Sequence, residues 1–528
     1  MATNTNVLLL NIPLSNDYQH TYAWETKEQQ TNFFLGKFTG STPMICTYQR
    51  KDNVIRYPAH IDSLYQYNYV MYKNIDYTDK WFYAFIKEFQ YVNDGHTDII
   101  IETDVLQTWW FEKRVGDSFI EREHVNDDTI GKHTIPENIE RGEYVVNGYT
   151  NVPELKASVG KVVMGSTYDV SEEEESVGGI YNGVYSGVKY YVYPTGSKDE
   201  NNITKMLQKI TNDGKGDAVT SLFQAPDFLL VGAEAGGSVI ETLSPQYLVK
   251  EVDKVYGFEG YIPQNNKLKT SQYTYLLVSN GNGATAEYGY EYFPSENSCT
   301  FQIIGSLTPG CSIRLRPSIY KGQQLYEAEG LNLGKYPQCN WATDQFVNWL
   351  TQNAVNVGGQ VATSVTGGIM TGAGASAMLG MVLGTMAGPV GWGIAAVGAI
   401  VGVAGAINEV AVAERVPPQT RGNINCGDVV NSAGDNTFHF YNMSIKREYA
   451  EMIDKYFSTY GYKVNRLGTP HEFHRITWWY TKTIDANIYG AIPKDDLEKI
   501  KRAYNNGITF WRKPEHFRNY DIDNSIRD

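Results

Sequence analysis

YQYNYVMYKNIDYTDKWFYAFIKEFQYVNDGHTDIIIETDVLQTWW, residues 65–110, decides the fold class. Tyr65, Tyr67 and Tyr69 alternate with other side chains at the period-two spacing of a strand. WFYAFI, residues 81–86, is apolar at successive positions and reads as a central strand buried on both faces. Asn93-Asp94-Gly95 lies between two such runs and signals a tight hairpin. DIIIETDVLQTWW, residues 98–110, reads as a further strand running into an aromatic cluster. SFIEREHV, residues 118–125, closes the block as another strand.

Outward from this block the pattern changes twice. Residues 151–265 read as a small α+β unit, with strands at 161–164 and 189–193, an acidic run at 172–175 and an amphipathic helix near 203–211. From residue 273 the β pattern returns. YTYLLVS and TAEYGYEYF flank Asn280-Gly281-Asn282-Gly283 as a hairpin, with Tyr288, Tyr290 and Tyr292 on one strand face, and CTFQIIG (299–305) follows. Residues 341–356 are helix-like. After Pro417-Pro418, a firm helix stop, a strand is expected at 436–445. A helix is expected at 445–459 with Tyr449, Met452, Ile453 and Phe457 inward, and another at 495–505 with the acidic first turn its dipole favours. The expected class is mainly β with α+β elements. The expected parts are a β-rich domain (1–150), an inserted α+β domain (151–265), a β-hairpin segment (266–340), a glycine-rich hydrophobic loop (341–415) and a C-terminal α+β part (416–528).

The loop departs from the rest of the composition. The chain has 528 residues and a net charge of −14, yet no charged side chain occurs between Asp344 and Glu409. Its core, GIMTGAGASAMLGMVLGTMAGPVGWGIAAVGAIVGVAGAI (368–407), has two apolar arms about Gly388-Pro389-Val390-Gly391. Each arm is roughly 16–19 residues, so as a helix it spans about 24–29 Å, close to the hydrocarbon thickness of a bilayer. Gly380, Gly384 and Gly388 recur every fourth residue, as do Gly398 and Gly402, which suits close helix packing in lipid. Three readings are open: a permanent transmembrane hairpin, a buried soluble hairpin, and a segment shielded first and released into a membrane later. The flanks lack the basic asymmetry of a permanent span. Interior glycines cost about 1 kcal/mol each in a core helix. The conditional segment fits best.

The acidic balance argues against tight nucleic-acid binding, which needs Lys and Arg on phosphates. The five cysteines are odd in number and form no C-x-x-C pair, so neither a zinc ribbon nor a disulfide framework is indicated. The N-terminus lacks a basic region and a long apolar run, which points to synthesis in the cytoplasm. The 39 tyrosines suit strand surfaces and subunit interfaces alike. No enzyme or cofactor motif stands out. His471-Glu472-Phe473-His474 misses the H-E-x-x-H spacing. Gly281-x-Gly283 lacks the lysine of a phosphate loop, and Lys446, Arg447, Lys455 and Lys463 read as a solvated face.

Several strings closely resemble those of the distal tail knob proteins of phi-29-type podophages. They are YVMYKNIDYTDKWFYAFIKEFQYV (69–92), IETDVLQTWWFE (101–112) and SFIEREHV (118–125), with PLSNDYQHT (13–21) before them. VPPQ (416–419), YGYKVNR (460–466) and NNGITFW (505–511) follow in the same order. The resemblance implies a homohexameric tube at the distal tip of the virion tail, joined to a proximal tail or lower collar protein. Viral DNA would pass through without specific binding. It implies no catalysis and no cofactor, and a loop near 355–407 that plugs the tube, then enters the host cytoplasmic membrane. The residues expected to meet lipid are Ile369, Met370, Met378, Leu379, Met381, Val382, Leu383, Met386, Pro389, Trp392, Ile394, Val397, Ile400, Val401, Val403 and Ile407. Competing expectations are a tail-tip cell-wall hydrolase and a receptor-binding adhesin using the tyrosine-rich surface.

Overall fold

A computed structural model describes residues 5–527 except 41, 75–77, 157–160, 170–173, 176–178, 182–183, 195–200, 214, 216–217, 231–237, 240–244, 308–311, 325–329, 336–337 and 340–436. The chain divides into two compact units. The first comprises Met1–Glu143, Phe258–Tyr273 and Ile445–Asp528, and the second comprises Tyr144–Gly257 and Thr274–Ser444. Strands predominate in both, with helices packed on them, so the protein is mainly β with α+β elements.

The first unit contains a closed six-stranded barrel. Its wall runs Thr5–Leu10, Met44–Gln49, Val54–Tyr57, His96–Thr103, Phe82–Asn93, Tyr69–Asn74 and back to the first strand. Each neighbouring pair is antiparallel. Val7, Leu9, Cys46, Ile55, Val70, Tyr72, Ala84, Ile99 and Ile101 come from all six strands and form one cluster, which fills the interior. The alternate residues Leu8, Leu10, Tyr69, Met71, Tyr83 and Phe85 belong to a second cluster outside the wall. Burial on both faces explains the unbroken apolar runs at 7–10 and 82–86, where polar alternation would place hydroxyls or amides in a core. Each buried Leu or Phe contributes about 1.5–3 kcal/mol. The expected hairpin forms, with Asn93 opposite His96 across Asp94-Gly95.

Two expectations here need correction. Tyr65 is 64% exposed and sits in a turn after the 3-10 segment Ile61–Ser63, so the strand begins at Tyr69 and not at 65. The strand at His96–Thr103 does not reach Trp110. The Asp104 carboxylate accepts from the N–H groups of Leu106 and Gln107 and starts a helical turn, Val105–Thr108, as an N-cap does.

A five-stranded sheet completes the first unit, in the order His20–Tyr22, Ile508–Trp511, Trp478–Asp485, Ser118–Glu123, Tyr462–Gly468. Only the first pair is parallel. Trp478, Trp479 and Trp511 are wholly buried on it. The helix Lys494–Asn506 covers the sheet with Ile500, Ala503 and Tyr504. The helix Arg447–Tyr460 buries Ala450, Ile453, Asp454 and Phe457. Met452, expected inward, is 59% exposed. Asp454 takes the inward place because four hydrogen bonds satisfy its carboxylate: Tyr261 Oη and the Gln264 amide donate at 2.7 Å, and the Asn265 amide and Nδ2 at 3.0 and 2.8 Å.

The second unit holds three larger sheets. One has the order Tyr144–Asn151, His439–Ile445, Thr274–Ser279, Thr285–Gly289. The expected hairpin is present, with Gly281 and Gly283 at φ +69° and +86° in its loop. Tyr290 and Tyr292 do not continue the strand as expected; they form a 3-10 turn, and Tyr290 turns inward to donate to Asn442 Oδ1 at 2.5 Å. A second sheet runs Gln246–Asp253, Ser298–Gly305, Ser312–Pro317, Leu331–Lys335. The third runs Ser238–Val239, Lys189–Pro194, Lys161–Ser166, Val219–Phe223, Gln338–Cys339. The helix Ile203–Asn212 packs Ile203, Leu207 and Ile210 against Val162, Met164, Tyr191 and Tyr193 of that sheet.

Candidate functional site

The nearest described residues on either side of the uncharged segment, Gln338–Cys339 before it and Thr437 after it, belong to the second unit. On the way out, Leu222 and Phe223 pair with Cys339 and Gln338. On the way back, Thr437 is wholly buried; its hydroxyl donates to the Val152 carbonyl at 2.9 Å and accepts the Val152 amide at 3.0 Å. Phe438 and Phe440 then enter the core beside Phe301, Tyr288 and Val278, and His439–Ile445 pairs along the full strand Thr274–Ser279. A buried threonine satisfied at both its donor and acceptor, followed by two buried phenylalanines, makes a firm anchor. The expected lipid-contacting residues from Ile369 to Ile407, and the glycines from Gly380 to Gly402, lie outside the described residues. Among the described residues no helix is long and apolar enough to cross a membrane.

His471 and Glu472 are held by different partners. His471 Nδ1 lies 3.3 Å from buried Glu123, which also accepts from Arg466 at 2.6 Å. Glu472 accepts from Tyr504 Oη at 3.0 Å and from Lys113 Nζ at 3.4 Å. Among the described residues, no group of three or more His, Cys, Asp or Glu converges as a metal site. Lys446 pairs with Glu143, and Arg447 pairs with Glu451 at 2.6 Å. The basic face of that helix is therefore largely neutralised by its own neighbours.

The strongest polar cluster was not visible in the sequence. Glu137, buried, accepts from Lys267 Nζ at 2.5 Å and from the Lys463 amide at 2.9 Å, and it pairs with Arg122. Burial pushes Lys267 below the usual lysine range, and Glu137 partly offsets this. A second cluster joins Gln107 to Trp24 Nε1 (2.7 Å), Gln30 Nε2 (3.2 Å), Thr21 Oγ1 (2.9 Å) and the Tyr22 carbonyl (2.9 Å). Both networks connect residues far apart in sequence and tie separate elements of the first unit together. No local pattern signals such partners.

Comparison with known proteins agrees with this architecture. The family model described as Bacillus phage phi29 tail knob protein gp9, C-terminal domain, matches residues 239–525. A model of the caudoviral major tail protein N-terminus matches residues 3–114, the part that contains the barrel. Tail knob protein gp9 of Bacillus phage PZA is 27% identical, with 99% of each chain covered. The gp9 tail knob proteins of phages phi29 and B103 are 26% and 25% identical, over 99% and 98% of each chain. The solved tail knob protein gp12 of bacteriophage C1 has the same fold at a TM-score of 0.62, with 12% identity, 99% of this chain covered and 100% of its own. More than half of the sequence lies within the phi29 gp9 match, and the chain belongs to the phi29-type tail knob family, structural proteins of the phage tail.

Proposed function

We propose that six copies of this chain form a ring at the tail tip through which DNA leaves, and that residues 341–415 act on the host cytoplasmic membrane. The observation that carries the reading is the uncharged stretch between Asp344 and Glu409, set in an acidic protein. An apolar stretch of this length needs shelter in the virion. A ring lets several copies shelter one another, and release would deliver two bilayer-length arms per subunit. In lipid only helices or closed barrels satisfy the backbone, and the every-fourth glycines favour packed helices. A net acidic wall repels a phosphate backbone, which favours passage over binding. The role asked of the chain is mechanical, with a proximal tail or lower collar protein as its virion partner.

The test is dye release from anionic liposomes by the full chain and by a variant lacking residues 355–407. Leakage by the first and not by the second supports the reading. Equal leakage by both contradicts it.

A further inference from the structure

The last residues of the chain form a strap across the first unit. Arg475 and Ile526 make an isolated antiparallel bridge. The Arg527 amide donates to the His474 carbonyl at 2.7 Å, and the Ile476 amide donates to the Ser525 carbonyl at 3.3 Å. Asn524 Oδ1 accepts from the amides of Thr477 (3.2 Å) and Trp478 (3.0 Å). The Arg475 guanidinium ties the strap to the sheet, donating to the carbonyls of Asn524 (3.1 Å) and Val125 (3.0 Å). Farther along, Tyr520 packs edge-on against Trp478 at 5.3 Å, and Phe517 packs on Tyr22 at 5.0 Å.

Two histidines contact this strap, His20 through its ring and His474 through its main-chain carbonyl, and a third, His124, precedes Val125, whose carbonyl Arg475 holds. His124 is buried; its Nδ1 accepts the Tyr480 amide at 2.8 Å while Nε2 faces the Ser458 carbonyl at 3.0 Å, so the ring has room for one proton. His20 Nδ1 accepts Trp511 Nε1–H at 3.3 Å, and its ring touches Phe517 and Tyr520 of the strap. Neither ring nitrogen of His474 meets hydrogen-bond geometry. Burial first, and neighbouring cations second, hold all three below the usual histidine range: His20 and His474 at about 4, and His124 well below its ordinary value. The groups facing them are mostly positive. Arg122, Arg475 and His471 surround His124 and His474, with Glu123 as the counter-charge to His474. Arg518 faces His20, opposed by Asp17. Arg475 has Asp128 and Tyr462 opposite, and burial raises the Asp128 carboxyl, so acid also removes that counter-charge.

We propose that residues 514–527 are an acid-released latch: protonation of His20 and His474 unseats this segment while the barrel stays folded. The direction follows from linkage. A released strap lets His20 and His474 titrate near 6.5, whereas the seated form resists their protonation down to about 4. The seated state is therefore at full strength above about 6.5 and weakens as pH falls toward 4. At pH 5 each of His20 and His474 multiplies the opening constant by about thirtyfold. Opening uncovers Trp478 and Trp511, giving the latch an aromatic underside.

The test is hydrogen exchange on the full chain between pH 7.5 and 5, corrected for intrinsic exchange, comparing residues 474–480 and 514–527 with barrel residues 69–72. The expected result is a loss of protection of a hundredfold or more in the first two segments only. The H474N and H20N variants should each reduce that acid response by about thirtyfold, and they sit at opposite ends of the strap, so one suffices if the other fails to fold. Simultaneous loss of protection in strap and barrel, or native acid response in the variants, would overturn the proposal.

Discussion

Asp454 and Asp104 are both buried carboxylates, but their surroundings treat the charge differently. Asp454 accepts from four donors. D454A should therefore lose about 3–5 kcal/mol, because Tyr261, Gln264 and Asn265 are left with unmet donors; a urea-unfolding free energy that falls by under about 1 kcal/mol would contradict this. Asp104 accepts the Leu106 and Gln107 amides and Tyr69 Oη, yet burial raises its carboxyl to about 6. Its folded value exceeds the unfolded one, so its neutral form favours the fold, and that contribution disappears as pH rises from about 4 through 6. D104N keeps an acceptor for the cap and removes the charge. It should gain stability relative to the native chain between pH 5 and 7, by an order of 2 kcal/mol, read as a flatter dependence of unfolding temperature on pH. These roles were not legible in the sequence. Met452 and Asp454 lie on the same amphipathic helix, and hydrophobicity alone assigns the inward place to Met452. The partners that reverse the choice lie about 190 residues away.

At the scale of elements, periodicity succeeds where both faces of a strand are buried and fails where side-chain hydrogen bonds end an element. The strand Phe82–Asn93 and its hairpin were readable because apolar runs and Asp94-Gly95 are local signals. The turn at Val105–Thr108 and the loss of strand at Tyr290 depend on Asp104 and on Asn442, which no periodicity reports. Helix ends give a sharper test. Gly461 follows the helix Arg447–Tyr460 at φ +66° and ψ −157°. A Cβ there would meet the Glu123 carbonyl oxygen at 2.1 Å. That backbone region belongs to glycine, and the obstacle is main chain, which cannot swing aside. G461A should cost about 3 kcal/mol or more, with the unfolding temperature as the measure. Gly36, whose added Cβ meets nothing within 4 Å, is the control; G36A should change stability by under about 1 kcal/mol.

For the whole molecule, the mainly β class was legible because so many apolar runs are short and tyrosine-rich. The family was legible from long, unusual strings at both ends. The two-unit organisation was harder to read, because each unit is assembled from separated stretches: Phe258–Tyr273 belongs with both termini. The candidate site rests on the sequence alone, on the absence of charge between Asp344 and Glu409. If the uncharged segment is carried rather than packed, deleting residues 355–407 should leave the unfolding temperature within about 3 °C of the native chain. Charged substitution at its turn, M386D with W392D, should lower vesicle leakage and leave ring assembly unchanged.

The depth of residues 385–392 in a bilayer decides whether the uncharged segment enters lipid. Cys46 and Cys299 are buried, with thiols pushed up to about 12, so they resist labelling. With Cys311, Cys339 and Cys426 changed to serine, T385C can carry a single fluorophore beside Met386. When liposomes are added, the account predicts quenching by lipids with a quencher at the bilayer centre, and protection from aqueous iodide. Emission quenched by iodide alone, with no response to the lipid quencher, would contradict it.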